Sequence, residues 1–329
     1  MSSDPVDTLA SAQTPLPRFD VRLTPPDLAP WMEGNTGVAG FTSLTAAEPG
    51  PHVALIALTH GNEIAGAIVL DRLLRAELRP ARGRLTFGFA NLGAFARFDA
   101  SQPTASRFID EDMNRLWDAT ILDGPRRSAE LARAREMRGL LETVDVLLDL
   151  HSMLWPSDPL ILSGQTAKGR ALALAIGTPP LVVADSGHVS GPRLIDYGRF
   201  SQADAPQVAN LVEAGQHWEP ATVEMAVHGV AGLLRHLGMV AAHAPLPPRP
   251  SPAPARVAEV TVTVTAATSA FAFVRAFRGG DVVPRRNTLI GMDGDTEIRT
   301  PHDDCLLVMP SLRPSRGHTA VRLARFVSP

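Results

Sequence analysis

Residues 53–63 read Val-Ala-Leu-Ile-Ala-Leu-Thr-His-Gly-Asn-Glu, and the change of pattern inside this stretch decides the fold class. Residues 53–58 are all apolar, which predicts a short strand that is buried on both faces. In residues 64–78 the apolar positions recur at helical spacing, so a helix should follow the strand. His60 and Glu63 lie at the junction, three residues apart, where both side chains can point into one cleft.

A second apolar run ends in the same way. Residues 144–150 predict another strand, and His151 follows it directly. In open α/β sheets, ligands bind beyond the carboxyl ends of the strands. Two histidines and one carboxylate that meet there make a three-ligand zinc site with a fourth position for water. We therefore predict one zinc ion per chain, held by His60, Glu63 and His151. The alternative for His60 is a helix-capping or core histidine.

Strand and helix patterns alternate from about residue 50 to residue 240, which is typical of a mostly parallel sheet with helices on both faces. The fold class that follows is α/β. The predicted strands are 53–58, 84–90, 144–150, 160–162, 180–184 and 207–212. The predicted helices are 64–78, 128–141 with Ser128 as its N-cap, 168–176 and 220–237.

Prolines divide the chain near residue 250. Residues 243–255 contain six prolines, which predicts a stiff linker. Short strands and turns follow it, so we predict a small C-terminal all-β domain over residues 256–329. Its predicted strands are 257–265, 271–277, 288–292, 306–309 and 319–326. Residues 18–242 would form the larger α/β domain, and the polar residues 1–17 a mobile tail.

The bulk composition excludes several classes of protein. The net charge of −3 argues against a nucleic-acid or anionic-membrane partner. The single cysteine, Cys305, excludes an intramolecular disulfide framework. No apolar stretch reaches membrane-spanning length, and the first residues lack the features of a signal peptide. We therefore expect no membrane partner and a cytoplasmic location.

Residues 107–115, Arg-Phe-Ile-Asp-Glu-Asp-Met-Asn-Arg, form a polar cluster. The two arginines, Arg107 and Arg115, together with Asn114 suit recognition of a carboxylate and polarisation of a carbonyl. The alternative is a surface ion-pair network with the three acidic residues between them.

Glu213 closes the apolar run of residues 207–212, and Gly215 allows a turn after it. A carboxylate so placed can act as a general base for water and then as an acid for a departing amine. Tyr197 and Arg199 precede it in a polar loop and are candidates for substrate contact. Ordinary loop residues are the alternative for both.

Four motifs, taken in order, resemble the succinylglutamate desuccinylase/aspartoacylase family, relatives of the zinc carboxypeptidases. They are His60-Gly61-Asn62-Glu63, Arg107 through Asp112-Met113-Asn114-Arg115, Asp149-Leu150-His151 and Glu213-Ala214-Gly215. The resemblance covers about residues 50–325. It implies a three-layer, carboxypeptidase-like catalytic domain with a mostly parallel sheet, and a zinc ion on the ligands given above.

The same resemblance implies roles for the other residues. Glu213 is then the catalytic glutamate, Arg107 polarises the scissile carbonyl, and Asn114 and Arg115 bind the substrate carboxylate. The implied reaction is hydrolysis of the amide bond of a small N-acyl amino acid or related N-acyl amine by zinc-activated water. The alternatives are a metallocarboxypeptidase acting on short peptides and a non-catalytic metal-binding protein on the same scaffold.

The chain also departs from the family pattern. No tyrosine follows Tyr197, so the tyrosine that the C-terminal domain of aspartoacylase contributes to its active site has no counterpart. Arg199 is the candidate to bind a second carboxylate. Residues 152–155 and 216–218 bring apolar bulk to the cleft, which predicts a less polar acyl or amine group than succinate or aspartate. Residues 280–304 resemble a lipoyl-like β-fold but hold no lysine, so we expect a lid or oligomerisation role.

Overall fold

The structure is a computed structural model that describes residues 17–188, 190–251 and 253–328. The predicted mobile tail, apart from its last residue, lies outside them. The α-helices are α1 (Ile64–Arg75), α2 (Leu92–Phe95), α3 (Ala119–Asp123), α4 (Ala129–Leu141), α5 (Ala167–Ile176) and α6 (Pro220–His236). The strands are β1 (Phe41–Thr45), β2 (His52–Ala57), β3 (Arg84–Phe89), β4 (Val146–Met153), β5 (Leu160–Leu162), β6 (Leu181–Ala184), β7 (Val208–Gln216), β8 (Arg256–Thr265), β9 (Phe271–Phe273), β10 (Val282–Val283), β11 (Leu289–Asp293), β12 (Thr296–Arg299), β13 (Cys305–Val308) and β14 (Thr319–Val327).

Most of the apolar run of residues 53–58 lies in β2, a central strand that is covered on both faces. Val53 and Leu55 of β2 pack into a core that also holds the apolar sides of α1, α5 and α6. Ala54 and Ile56 point the other way, into a core shared with α4. Successive side chains of a strand alternate between the faces of a sheet, so only a continuous apolar run can fill both cores.

One large sheet carries both cores, in the order β1-β3-β2-β4-β7-β5-β6-β8-β14-β13-β10. The strands β3, β2, β4 and β7 run parallel to one another, as do β5, β6 and β8. Helices α1, α5 and α6 cover one face, and α4 covers the other. The fold is therefore the predicted three-layer α/β arrangement, with a mostly parallel sheet in the larger part of the chain.

Strand ends differ from the prediction at two positions that matter for function. β4 continues past residue 150 to Met153, and β7 continues past residue 212 to Gln216. His151 and Glu213 therefore lie inside strands rather than at their ends, because the two strands keep pairing beyond both residues. The elements β1, β10, β12, α2 and α3 were not predicted, since stretches of two to five residues carry little periodicity.

The C-terminal strands extend the same sheet. β8 pairs in parallel with β6 of the α/β part and antiparallel with β14, so backbone hydrogen bonds run without a break between the two parts. A separate three-stranded sheet, β12-β11-β9, packs beyond them. The proposed domain limits remain a prediction.

No helix within the described ranges has the length and apolar character needed to cross a bilayer.

Gly66 marks the closest approach of α1 to the sheet, and it gives a test of this packing. A Cβ atom there would lie 2.9 Å from Leu150 Cβ and 3.1 Å from Ala57 Cβ. We expect Gly66→Ala to lower the free energy of unfolding by about 1–2 kcal/mol, because the clash outweighs the gain in helix propensity. A Cβ atom added at Gly139 of α4 would have no neighbouring atom within 4 Å. Gly139→Ala should therefore raise the free energy of unfolding by about 0.5–1 kcal/mol. Urea unfolding measures both, and midpoints that shift in the same direction would contradict this packing.

Candidate metal centre

His60, Glu63 and His151 meet in one buried cluster. Each offers one ligand atom, and these atoms lie within 4.8 Å of one another. His60 follows β2, Glu63 is the residue that precedes the first turn of α1, and His151 lies in β4, the strand next to β2. The parallel pairing of the two strands brings the three side chains to one edge of the sheet.

His60 turns a different ring nitrogen to each of two carboxylates. Its Nδ1 lies 2.7 Å from Glu63 Oε1, on the side of the cluster. Its Nε2 lies 2.9 Å from Asp112 Oδ1, on the opposite side of the ring. A carboxylate on the outer nitrogen fixes the tautomer and the orientation of a histidine ligand.

His151 is held in the same way by Asp149. Its Nδ1 lies 3.0 Å from Glu63 Oε2 and its Nε2 lies 2.7 Å from Asp149 Oδ2. Asp149 is fully buried and also accepts a hydrogen bond of 3.0 Å from the Thr59 hydroxyl. The side-chain partners of Asp149 are thus a histidine of the cluster and a threonine.

The donor set fits a divalent cation. Two imidazole nitrogens and one carboxylate are a set that zinc prefers, and the ring nitrogens that face away from the cluster have carboxylate partners. Burial alone would raise the pKa of Glu63, but the neighbouring His60 and His151 hold that pKa well below its usual range. Glu63 is therefore a carboxylate, the form that binds a metal ion.

Glu213 lies beside His151 because the two residues are register partners of β7 and β4. Gly215, two residues further on, has a φ of 141°, which L side chains rarely adopt, and the register shifts by one residue there. Glu213 Oε2 is buried and has no hydrogen-bond partner among the described residues. Burial raises the pKa of Glu213 to about 8. A divalent cation nearby would favour the carboxylate and lower that pKa.

Arg107 lies against the cluster, and about a third of its side chain is exposed. Its Nη1 donates to Glu63 Oε1 at 3.0 Å, and its Nη2 lies 3.3 Å from Asp112 Oδ2. The guanidinium therefore faces both the ligand cluster and the space in front of it.

Asn114 and Arg115 follow on the short 3₁₀ turn Met113–Arg115, which Asp112 caps. Asn114 Oδ1 accepts from the Leu194 backbone N–H at 2.7 Å, which fixes the amide plane. Arg115 Nη1 donates to the Asn114 carbonyl at 2.6 Å. Both residues line the same cavity as the cluster.

Tyr197 and Arg199 do not join this site, which corrects the sequence-based prediction. The Tyr197 hydroxyl donates to Glu142 at 2.8 Å and accepts from Arg138 at 2.9 Å. Tyr197 and Arg199 line a separate cavity of about 380 Å³ beside the C-terminal end of α4. Their loop turns toward the outer side of the α4 layer, so sequence proximity to Glu213 does not bring them to the cluster.

A cavity of about 640 Å³ opens in front of the cluster. Ser152 and His217 lie in its wall and are joined at 2.7 Å between Ser152 Oγ and His217 Nδ1. Burial lowers the pKa of His217 to about 4, so this ring is neutral. Other parts of the wall are apolar, and they comprise Phe108, Met153, Leu154, Trp155, Leu162, Leu211, Met309 and Pro310.

Sequence reasoning missed several residues of the cavity. Asp112 was considered only as part of an ion-pair network, yet it holds the outer nitrogen of His60. His188 and Arg322 also line the cavity, although they lie far apart in the chain. No motif marks these two residues, because only the pairing of β8 and β14 with the rest of the sheet brings them together.

Some known proteins resemble part of this chain in sequence, and others resemble it in fold. The catalytic-domain sequence model of the succinylglutamate desuccinylase/aspartoacylase family matches residues 49–173. A succinylglutamate desuccinylase of Pseudomonas aeruginosa is 33% identical over 127 residues, which are 36% of this chain and 36% of that protein. A human N-acyl-aromatic-L-amino acid amidohydrolase (carboxylate-forming) is 31% identical over 114 residues, 32% of this chain and 34% of that protein. These matches thus span about a third of each relative's own length.

The fold match extends further along the chain. The crystal structure of a succinylglutamate desuccinylase from Vibrio parahaemolyticus superposes with a TM-score of 0.66 at 18% identity, and it covers 88% of this chain and 87% of that one. The sequence match over residues 49–173 supports the family resemblance seen in the motifs, and the superposed structure supports the fold. His60, Glu63, Arg107, Asn114, Arg115 and His151 fall inside the matched segment, whereas Glu213 follows it.

The contact between Asp149 and His151 gives a test of the metal centre. We expect Asp149→Ala to weaken zinc affinity by about 10–100-fold, because His151 loses the partner that orients its ring. Competition with a chromogenic chelator measures the affinity. Glu111→Gln is the control, since Glu111 lines the cavity but pairs with Arg126 instead of a ligand. Equal zinc affinities in the wild type and Asp149→Ala would contradict the assignment.

Proposed function

We propose that this chain, whose residues 49–173 match the catalytic domain of the succinylglutamate desuccinylase/aspartoacylase family, is a zinc-dependent deacylase of that family. Its reaction is hydrolysis of the amide bond of a small N-acyl amino acid or related N-acyl amine. The observation that carries the proposal is the buried cluster of His60, Glu63 and His151 with the unpartnered Glu213 carboxyl oxygen beside it.

Zinc supplies Lewis-acid chemistry at such a site, since it polarises a carbonyl and makes a bound water acidic near neutral pH. Glu213 supplies the proton acceptor. Its free Oε2 accepts the proton of the attacking water, and the same carboxyl later gives a proton to the departing amine.

Arg107 stabilises the negative charge that develops on the scissile carbonyl oxygen. Its guanidinium already lies within 3.0 Å of Glu63 Oε1 and is partly open to the cavity, so an N–H can turn to the substrate with little movement. A preorganised donor of this kind is typically worth about 3 kcal/mol of transition-state stabilisation.

Asn114 and Arg115 bind the substrate carboxylate in the same cavity. The apolar wall, which includes Leu154 and Trp155, accommodates an acyl group or amino acid side chain with few polar atoms. Burial of such a group stabilises the complex by about 25 cal/mol per Å² of apolar surface removed from water.

The C-terminal residues Met309–Arg322 favour a small substrate over a peptide. Met309, Ser311, His318 and Thr319 line the cavity together with residues of the α/β part. A metallocarboxypeptidase acting on longer chains needs a groove that is open along the substrate, and these residues narrow the space.

Replacement of Glu213 separates metal binding from turnover. We expect Glu213→Gln to keep one zinc ion per chain and to lower kcat by about two decades or more, because the water loses its general base. Metal analysis and single-turnover hydrolysis of an N-acyl amino acid measure the two properties. Glu224→Gln, an exposed position on α6, is the control and should retain full activity. Wild-type turnover in Glu213→Gln would rule out the role given to Glu213.

The apolar wall predicts a substrate preference. We expect kcat/KM to be at least tenfold higher for N-acyl amino acids with an apolar acyl group or side chain than for N-succinylglutamate or N-acetylaspartate, since a second carboxylate would be desolvated against Leu154 and Trp155. A mass-spectrometric screen of matched substrates measures the ratio. A preference for the dicarboxylic substrates would contradict this reading of the wall.

A further inference from the structure

Arg322 brings a positive charge from the last strand into the cavity. It lies on β14 and is 3% exposed, yet it lines the same cavity as the metal ligands and Arg115. β14 is fixed on both sides, by β8 and by β13, so the position of this side chain is set by the sheet.

The buried carboxylate of Asp185 forms an ion pair with Arg322. Asp185 Oδ2 lies 3.2 Å from Arg322 Nε, and Asp185 Oδ1 lies 2.8 Å from Arg193 Nη1. Arg193 also donates to both carboxyl oxygens of Asp196. Asp185 and Asp196 are not part of the cavity lining, whereas the two arginines are. Asp185 and Asp196 therefore position the guanidinium groups of Arg193 and Arg322, which contribute positive charge to the cavity wall.

His188 fixes the other edge of the Arg322 guanidinium. Its Nε2 lies 2.8 Å from Arg322 Nη2, and its Nδ1 lies 3.3 Å from the Thr319 hydroxyl. Burial lowers the pKa of His188 far below its usual value, and the charges of Arg322 and Arg115 act in the same direction. The neutral ring therefore accepts the Arg322 N–H at Nε2. Nη1 forms no hydrogen bond with the described residues, and the buried Nε has no hydrogen-bond partner either, so the guanidinium keeps donor capacity for a ligand.

Among the groups that line the cavity, Asp112 is the counter-charge of Arg115, with its Oδ2 3.5 Å from Arg115 Nη2. Burial lowers the pKa of Arg115 to about 10; Asp112 opposes this, while the charges of Arg107, Arg322 and Arg193 add to it. An anion in the cavity would relieve this mutual repulsion, because it attracts the guanidinium groups that now repel one another.

We propose that Arg322 binds the substrate carboxylate together with Arg115, so that the last strand completes the carboxylate-binding subsite of the cavity. The inference rests on the proposed function. It assigns a specificity role to the C-terminal strands, where no tyrosine is present to supply one. Two guanidinium groups that bind one carboxylate select an anion of defined geometry. The neutral carboxamide of the same shape accepts weaker hydrogen bonds from them.

Comparison of a carboxylate with its carboxamide tests this subsite. The experiment uses the zinc-loaded Glu213→Gln variant, so that the ligands are not hydrolysed during the measurement. Calorimetry measures the affinity of this variant for N-acetyl-L-phenylalanine and for N-acetyl-L-phenylalanine amide. We expect the carboxylate to bind at least tenfold more tightly. Addition of Arg322→Gln should reduce this preference by about tenfold, because one charge-assisted contact is lost. Asp185 keeps its contact with Arg193, so the change leaves no buried carboxylate unpaired.

Arg325→Gln is the matched control, because Arg325 lies on the same strand and is exposed. It should leave the preference unchanged. An equal loss of affinity for both ligands in Arg322→Gln would mean that Arg322 only supports β14, and it would overturn the inference. An unchanged preference in Arg322→Gln, or a parent protein that binds both ligands equally, would overturn it as well. Hydrolysis of the same two compounds by the protein with Glu213 intact tests the proposed function separately, since a carboxylate preference in binding does not require turnover.

Discussion

The burial of three ligand groups in one cleft is the constraint on which the rest of the site depends. His60, Glu63 and His151 are each at most 4% exposed, so every polar atom that does not face the cluster needs a protein partner. Asp112 and Asp149 supply partners for the two rings, and the Ser152 backbone N–H and Arg107 supply them for Glu63. A cation at the centre would complete the balance of charge among these buried ionisable groups.

Strand pairing within the large sheet also positions the C-terminal part of the chain beside this site. The register of β4 and β7 sets Glu213 beside His151, and the pairing of β6 with β8 then fixes β14 over the same cavity. β8 and β14 therefore hold fixed positions beside the site, because their backbone pairing with β6 is continuous. A lid or oligomerisation role for the C-terminal β domain stays a prediction.

The meeting of His60, Glu63 and His151 and most of the long elements could be predicted from the sequence, because they depend on local patterns. The apolar run before His60, the helical spacing after Glu63 and the N-cap Ser128, whose hydroxyl accepts from the Leu131 N–H, are read within a few residues. Residues that depend on tertiary pairing could not be predicted in this way. Asp185, His188 and Arg322 meet only through β8 and β14, and the loop that carries Tyr197 and Arg199 turns away from Glu213 toward α4.

Metal dependence of turnover tests the central claim most directly. Hydrolysis of an N-acyl amino acid is measured on the wild type and on His60→Ala, before chelation, after removal of metal, and after addition of one equivalent of zinc. The account predicts that the wild type loses turnover on chelation and regains it with zinc, whereas His60→Ala binds zinc poorly and stays inactive. Full turnover of the metal-free wild type, or full metal content and activity in His60→Ala, would contradict it.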